Sequence, residues 1–187
     1  EVRFQARWRS LVMNLISLMP VGEVARYHLE SLAAGLTPRL RVACSIESNG
    51  LDPGFAFDPL RGQYHSTEIL KRLTKQASLE TWRVLGVTEA DLYIPIVAFV
   101  FGEAQRGPSP TATAVVSLHR LRQEFYGLPP DSQVLAGRLL KESLHELGHT
   151  MGLRHCPDYR CVMSASLAVE TIDLKLPVFC PVCAGAL

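Results

Sequence analysis

The stretch that decides the fold occupies residues 145–155 and reads His145-Glu146-Leu147-Gly148-His149-Thr150-Met151-Gly152-Leu153-Arg154-His155. His145 and His149 are four residues apart, roughly one helical turn, so their side chains project from the same face of a helix. Two imidazoles held in this way can bind one zinc ion, with each nitrogen about 2.0–2.1 Å from the metal. Glu146 can lean toward a water molecule beside the metal without being a ligand, which makes it a candidate general base.

Gly152 allows the chain to turn back after this helix, because glycine adopts a positive φ at no steric cost. The turn can bring His155 round as a third ligand, and three histidines with one open position are typical of a catalytic zinc. The alternative is an ordinary amphipathic helix whose histidines are solvated or satisfied in the core. Half of the six histidines fall within this stretch, which favours the metal site. The other three are expected at ordinary surface or core positions: His28, His65 and His119.

The helix that presents these ligands is predicted to span about residues 132–151, with Asp131 or Ser132 as its N-cap. Four of its apolar residues follow helical spacing and should face the core: Leu140, Leu144, Leu147 and Met151.

Four of the five cysteines lie within the last 32 residues: Cys156, Cys161, Cys180 and Cys183. Two closely spaced pairs confined to one corner suit a tetrahedral zinc held by four thiolates. Two disulfides are the alternative, and a redox C-x-x-C motif is a weaker one, since no helix is predicted to follow the last pair. The fifth, Cys44, lies on the apolar face of an alternating segment and is expected to be a buried free thiol.

The chain has 187 residues, 48% of them hydrophobic, with 19 basic and 18 acidic side chains. This composition fits one globular domain and argues against disorder and against nucleic-acid binding through bulk charge. The longest apolar run, residues 93–101, is too short for a membrane helix. Basic residues precede a mostly apolar stretch at 11–19, but Asn14 and Ser17 interrupt it, so a buried first strand is expected rather than a secretion signal.

Strand and helix signals are mixed along the chain, which predicts an α/β layer architecture. Strands are predicted at 10–19, 39–47, 92–101 and 113–119. Helices are predicted at 22–34 (ended by Gly35), 66–76 and 79–86. A long loop is predicted at 48–65 and a turn at 107–110, because glycine and proline are frequent there.

These residues together resemble the archaemetzincins, a branch of the metzincin zinc metallopeptidases. Residues 145–155 are similar to the extended zinc signature of the metzincins. Cys156 beside the third histidine, the Cys161-Val162-Met163 tripeptide and the final C-x-x-C pair are similar to the archaemetzincin branch. Segments 99–104 and 114–121 are similar to strands of that family. The resemblance covers about half of the chain well and the first 90 residues loosely.

The resemblance implies a single-domain metzincin-like α/β fold over residues 1–187, with an N-terminal part to about 151 and a zinc-binding part from about 152. It implies a mixed twisted sheet whose antiparallel edge strand, between Gly102 and Leu121, borders the cleft and can pair with a peptide. It also implies a long active-site helix and a C-terminal subregion with a four-cysteine zinc site.

Roles are implied by the same resemblance. His145, His149 and His155 would hold a catalytic zinc, with Glu146 as general base, and Met163 would form an apolar floor beneath the histidines. The structural zinc would be held by four residues: Cys156, Cys161, Cys180 and Cys183. Some metzincins have a tyrosine two residues after that methionine, where this chain has Ala165; Tyr159 is expected to be a packing residue.

The sequence therefore predicts a zinc-dependent metallopeptidase with two zinc ions and a peptide or protein substrate. One alternative is a catalytically weak or latent zinc protein that binds peptides without efficient cleavage. Another is a zinc-ribbon-like nucleic-acid binder, which the near-neutral charge disfavours. No nucleic-acid or membrane partner is expected, and we expect a monomer in the cytoplasm, where thiols stay reduced.

Overall fold

The computed structural model describes residues 15–78, 81–105 and 111–187. Its strands are β1 Leu15–Val21, β2 Ala43–Ile46, β3 Phe57–Asp58, β4 Gln63–His65, β5 Arg83–Thr88, β6 Leu92–Ile94, β7 Val97–Val100, β8 Gly102–Ala104 and β9 Ala112–Ser117. Its α-helices are α1 Arg26–Leu40, α2 Ser66–Gln76, α3 Ser132–Thr150, α4 Val169–Leu174 and α5 Pro181–Ala184. Short 3₁₀ turns lie at Gly54–Ala56, His119–Leu121 and Gln123–Tyr126.

The main sheet has the strand order β2-β1-β5-β9-β8. The first four strands are parallel, and β8 runs antiparallel to β9, with Gly102 opposite Val116 and Ala104 opposite Ala114. The predicted mixed sheet with an antiparallel edge strand is therefore confirmed. A second, smaller sheet has the order β3-β4-β6-β7.

The core lies on both faces of the main sheet. Strands β5 and β9 are buried along their whole length, as expected of parallel strands covered on both sides. Leu85 and Val87 pack with α1 and α3, whereas Val84 packs with α2. The alternation of side chains along each strand thus separates the two layers. No helix within the described residues is long and apolar enough to cross a membrane.

Helix α3 begins where the sequence predicts. The Asp131 side chain accepts hydrogen bonds from the backbone N–H groups of Gln133 and Val134, at 2.9 and 3.0 Å, so Asp131 is the N-cap. Leu144 and Leu147 are fully buried, while Leu140 and Met151 pack at the margin of the core.

The helix prediction at 22–34 is wrong at both ends, because α1 begins at Arg26 and continues through Gly35 to Leu40. A Cβ on Gly35 would lie 2.9 Å from a methyl of Leu140, so this glycine lets α1 approach α3 closely rather than ending the helix. The helix ends instead at Arg41, which adopts the left-handed conformation with φ +54°. Consequently the strand predicted at 39–47 is shorter, and Cys44 on it is half-buried rather than buried.

The helix predicted at 79–86 is wrong where it can be compared, since β5 occupies residues 83–88. A strand buried on both faces loses its alternating pattern, and a short apolar run then does not distinguish helix from strand. Residues 79–80, residues 10–14 of the first predicted strand and the turn predicted at 107–110 lie outside the described residues.

The strand predicted at 92–101 is a hairpin, β6 and β7, that turns at Pro95 and Ile96. Proline lacks the N–H that a continuous strand would need there. The loop predicted at 48–65 contains β3 and β4 of the small sheet. The helix predicted at 66–76 is confirmed by α2. The strand predicted at 113–119 corresponds to β9, which ends at Ser117, before the 3₁₀ turn at His119–Leu121.

Candidate active site

Three histidines converge at the end of α3. His145 and His149 lie on the buried face of the helix, and the chain then reverses at Gly152, whose φ is +95°. The N–H of Leu153 donates to the carbonyl of Gly148 at 3.0 Å and closes the turn. His155 is thereby brought back, and the ligand nitrogens of the three rings lie within 4.8 Å of one another. The predicted three-histidine group is therefore assembled.

Backbone carbonyls orient two of these rings. Nδ1 of His145 lies 2.9 Å from the carbonyl oxygen of Val162, and Nδ1 of His149 lies 2.8 Å from that of Leu153. A carbonyl oxygen only accepts, so each Nδ1 carries the proton and each Nε2 presents a lone pair. The two Nε2 atoms face each other at 3.1 Å. In a tetrahedral zinc site, ligand nitrogens lie about 3.3–3.4 Å apart, so the donor set fits a zinc ion.

The surroundings keep the His145 ring neutral. Burial, with a smaller contribution from the nearby Lys175 charge, lowers the pKa of His145 to about 2. The His145 ring is therefore neutral at neutral pH. A metal ligand must be deprotonated at the coordinating nitrogen, and this ring already is.

Glu146 lies beside the histidines in a cleft of about 760 Å³. The cleft is bordered by β7, β8, α3 and residues 165–167, and we refer to it as the central cleft. Glu146 is 6% exposed. A Cβ on Gly102 would lie 2.7 Å from Cγ and 2.9 Å from Oε1 of Glu146, so the missing side chain at 102 makes room for this carboxylate against the edge strand.

Met163 packs against Gly148, in the helix turn between His145 and His149. It is fully buried, and a Cβ on Gly148 would overlap its sulfur. The carbonyl of Met163 accepts a hydrogen bond from the N–H of Cys156 at 2.9 Å. The methionine thus packs between the histidine group and the cysteines.

The four C-terminal cysteines also converge, with their sulfur atoms within 4.8 Å of one another. Sγ of Cys156 and Sγ of Cys180 are 3.8 Å apart. Tetrahedral zinc with Zn–S bonds of about 2.3 Å places its sulfurs about 3.8 Å apart, whereas a disulfide needs about 2.05 Å. All four thiols are free, so the donor set fits zinc and the two-disulfide alternative does not hold.

The backbone N–H of Cys183 is the main cause that lowers the pKa of the Cys180 thiol to about 7. Burial instead raises the pKa of Cys156 and Cys183. Cys180 therefore ionises more readily than Cys156 and Cys183, and a metal would have to displace the protons of those two thiols.

Comparison with known proteins agrees with this geometry. Residues 56–187 match the model of peptidase family M54. The archaemetzincin of Methanocaldococcus jannaschii is 43% identical over 168 residues, which cover 90% of this chain and 89% of that protein. The crystal structure of the Archaeoglobus fulgidus archaemetzincin in complex with malonate superposes with a TM-score of 0.79 at 33% identity, covering 92% of this chain and 99% of the other. A zinc-dependent peptidase from Methanocorpusculum labreanum gives a TM-score of 0.80 at 31% identity, covering 91% and 98%.

The chain belongs to peptidase family M54, the archaemetzincins. It is accordingly a zinc-dependent metallopeptidase, a hydrolase that acts on peptide or protein substrates. The resemblance inferred from the sequence and the metzincin-like fold are both confirmed.

The structure of this archaemetzincin shows where Ala165 and Tyr159 lie relative to the central cleft. Ala165 borders the central cleft, at the position where some metzincins have a tyrosine. Tyr159 is 63% exposed and is not among the described residues that border the cleft. Tyr159 is therefore an exposed side chain rather than the packing residue that was expected.

Sequence reasoning missed three features of this archaemetzincin site. The carbonyls of Val162 and Leu153 orient the ligand rings, but backbone groups leave no signal in residue type. Gly102 could have been noticed as a glycine within a strand, which often marks close approach of another group. Glu142 precedes Glu146 by one helical turn and borders the same cleft, so helical spacing could have found it.

Proposed function

We propose that His145, His149 and His155 hold the catalytic zinc and that Glu146 is the general base of peptide hydrolysis. The observation that carries the proposal is the pair of facing Nε2 lone pairs, 3.1 Å apart, in the cleft that Glu146 borders. Both Nδ1 atoms are committed to backbone carbonyls, so the coordinating nitrogens are preset before any ion binds.

When bound, zinc supplies Lewis acidity, which polarises the scissile carbonyl and lowers the pKa of water toward about 7. The Glu146 carboxylate accepts one proton from the attacking water, whose oxygen bonds to the carbonyl carbon. As the C–N bond breaks, Glu146 delivers that proton to the leaving nitrogen. The side chain is suited to this shuttle because Gly102 lets it lie against the edge strand.

We propose that the substrate binds along β8 as an additional strand. The carbonyl of Phe101 and the N–H of Gln105 are bonded toward β9. Because backbone groups alternate along an antiparallel strand, those of Gly102 and Ala104 point the other way, and both residues border the central cleft. Among the described residues, β8 has no strand partner on that side. Such an edge can bind an extended peptide by main-chain hydrogen bonds.

The opposite face of β8 is anchored. The Glu103 carboxylate accepts hydrogen bonds from the Thr67 hydroxyl, at 2.9 Å, and from the Ser66 hydroxyl at the start of α2. This anchoring holds the edge strand in place for an incoming peptide.

We further propose that Cys156, Cys161, Cys180 and Cys183 hold a second, structural zinc, giving two ions per chain. The 3.8 Å separation of the Cys156 and Cys180 sulfurs supports this assignment. Free thiols also favour a reducing compartment such as the cytoplasm.

The test combines metal analysis with cleavage of a peptide library. Glu146→Gln should keep two zinc ions per chain and lower kcat by at least about 10²–10⁴-fold, the usual contribution of a general base. Glu124→Gln makes the same change at an exposed carboxylate outside the cleft and should leave kcat unchanged. Turnover of Glu146→Gln within twofold of the native rate would exclude Glu146 as the base. A native protein that binds peptides but cleaves none would instead support the latent alternative.

A further inference from the structure

Glu142 is a buried carboxylate that borders the central cleft. It lies on α3 one turn before Glu146, on the helix face that also carries His145 and His149. Its exposed fraction is 2%. The proposed mechanism gives this residue no role, although it borders the same cleft as the histidines.

The hydrogen bonds of Glu142 are one-sided. Lys175 Nζ, at 3.1 Å, and Ser166 Oγ, at 2.9 Å, both donate to Oε1. No described residue donates a hydrogen bond to Oε2. This oxygen nevertheless keeps some exposed surface, since it is not one of the fully buried atoms without a partner. The carboxylate is thus held at one oxygen, and the other is the acceptor that it can offer to a ligand.

The cation of this pair is hidden from the cleft. The Lys175 side chain is 0% exposed, and neither lysine nor arginine is among the described residues that border the cleft. The charged side chains that do border it are the carboxylates Glu103, Glu142 and Glu146. On the α3 side a substrate side chain therefore meets the carboxylates of Glu142 and Glu146, whereas Glu103 is bonded to α2 and the ammonium group is buried.

The central cleft that Glu142 borders is also lined by apolar side chains. Ile96, Val97 and Leu167 border it and are 86%, 42% and 86% exposed, and Ala165 is small enough to leave space beside Ser166. A cleft that offers both apolar surface and a carboxylate acceptor suits a side chain that has a hydrocarbon stem and a hydrogen-bonding cationic head, which is the chemistry of lysine and arginine. An aliphatic substrate side chain would instead exclude water from Oε2 of Glu142 without donating a hydrogen bond to it, which costs binding free energy.

We propose that the enzyme selects peptides with lysine or arginine beside the cleaved bond, and that Glu142 binds the cationic head. Lys175 and Ser166 act as positioning residues that hold the carboxylate. This inference rests on the proposed function, because it requires that the central cleft binds the substrate.

The test uses peptides that are identical except at one position flanking the cleaved bond, with lysine, norleucine or glutamate there. The native enzyme should cleave the lysine peptide with kcat/KM at least tenfold above that of the norleucine peptide, which has a similar stem without the charge. The glutamate peptide should be the poorest. A lysine-to-norleucine ratio below twofold at every flanking position in the native enzyme would overturn the proposal without any variant.

The variant is Glu142→Gln combined with Lys175→Met, because Glu142→Gln alone would leave a buried ammonium unpaired. In the double variant the ratio should fall below twofold, whereas Glu124→Gln should keep it at tenfold or more. An unchanged ratio in a folded double variant would show that Glu142 is only structural. Hydrolysis that persists in Glu146→Gln would refute the proposed function instead, so the two failures are distinguishable.

Discussion

Gly102→Ala is expected to lower kcat by displacing Glu146. The added Cβ would lie 2.7 Å from Glu146 Cγ, whereas non-bonded carbon atoms prefer about 3.5–4.0 Å. It would also lie 2.7 Å from the carbonyl oxygen of Val115, which belongs to a buried central strand and cannot move freely. The Glu146 side chain must therefore yield by about 0.8 Å or more to restore contact distance.

The magnitude follows from that displacement. A misplacement of about 1 Å at a reacting group costs up to about 10²-fold in rate, so kcat should fall by about 10- to 100-fold. KM should rise as well, because the contact with the Val115 carbonyl oxygen can be relieved only by a shift of β8, whose backbone groups we propose bind the peptide. Overpacking should also lower the free energy of unfolding by about 1–3 kcal/mol.

The assay is steady-state hydrolysis of a library-derived peptide, with zinc content and urea unfolding measured on the same preparations. Gly137→Ala is the matched control, since a Cβ on Gly137 meets nothing within 4 Å. Inside α3 this change should stabilise the protein by about 0.5–1 kcal/mol and leave kcat unchanged. If folded, zinc-loaded Gly102→Ala keeps kcat within twofold of the native value, Gly102 does not position Glu146.

Two further predictions concern the metal ligands. Cys180→Ser should empty the cysteine site and weaken the affinity of the histidine site for zinc by about 10- to 100-fold, as expected for lost outer-shell support; an unchanged affinity, measured by competition with a chelator, would refute the coupling of the two sites. For the metal-free protein, the pKa of His145 is lowered to about 2, so below about pH 6.5 only the unfolded chain takes up this proton. Stability should then fall by up to about 1.4 kcal/mol per pH unit between about pH 6 and pH 3. His145→Gln should remove that part of the slope, and an equal slope in urea titrations of both proteins would contradict it.

The part of the site that lies on α3 could be predicted from sequence because a helix has a fixed period. Residues 145, 146 and 149 keep their relative positions wherever the helix packs, and the Gly152 turn adds His155 by local geometry alone. The cysteine metal site could be predicted for a similar reason, since the two members of each cysteine pair are close in sequence. These predictions needed no knowledge of the sheet.

The features of the site and fold that the sequence did not predict depend on contacts between segments that are distant in sequence. Lys175 lies 33 residues from Glu142 in sequence, and no pattern in either segment indicates the other. Gly102 meets Glu146 only because β8 lies against α3. The error at residues 79–86 has a related cause, since burial of β5 by helices on both faces removed the alternation that identifies a strand.

The segment after Gly152 explains why the two sites should act together. Its helices, α4 and α5, have only six and four residues, and helices shorter than about 12 residues are marginal on their own. Its order must therefore come from packing and, under the proposed assignment, from the cysteine-bound zinc. Cys161, Val162 and Met163 are consecutive: the first is a proposed ligand, the second accepts the His145 hydrogen bond, and the third packs against Gly148.

Loss of the cysteine zinc would thus release the groups that orient His145 and support the helix turn. Cys180 is the appropriate ligand to remove in order to test this. Cys180 lies 25 residues after His155 in sequence, whereas Cys156 adjoins His155 directly, so a substitution at Cys180 does not alter the backbone next to a histidine of the site. An effect of Cys180→Ser on the histidine site would then pass through the shared ion to the two segments that its other ligands hold, the 161–163 tripeptide and Cys156 beside His155.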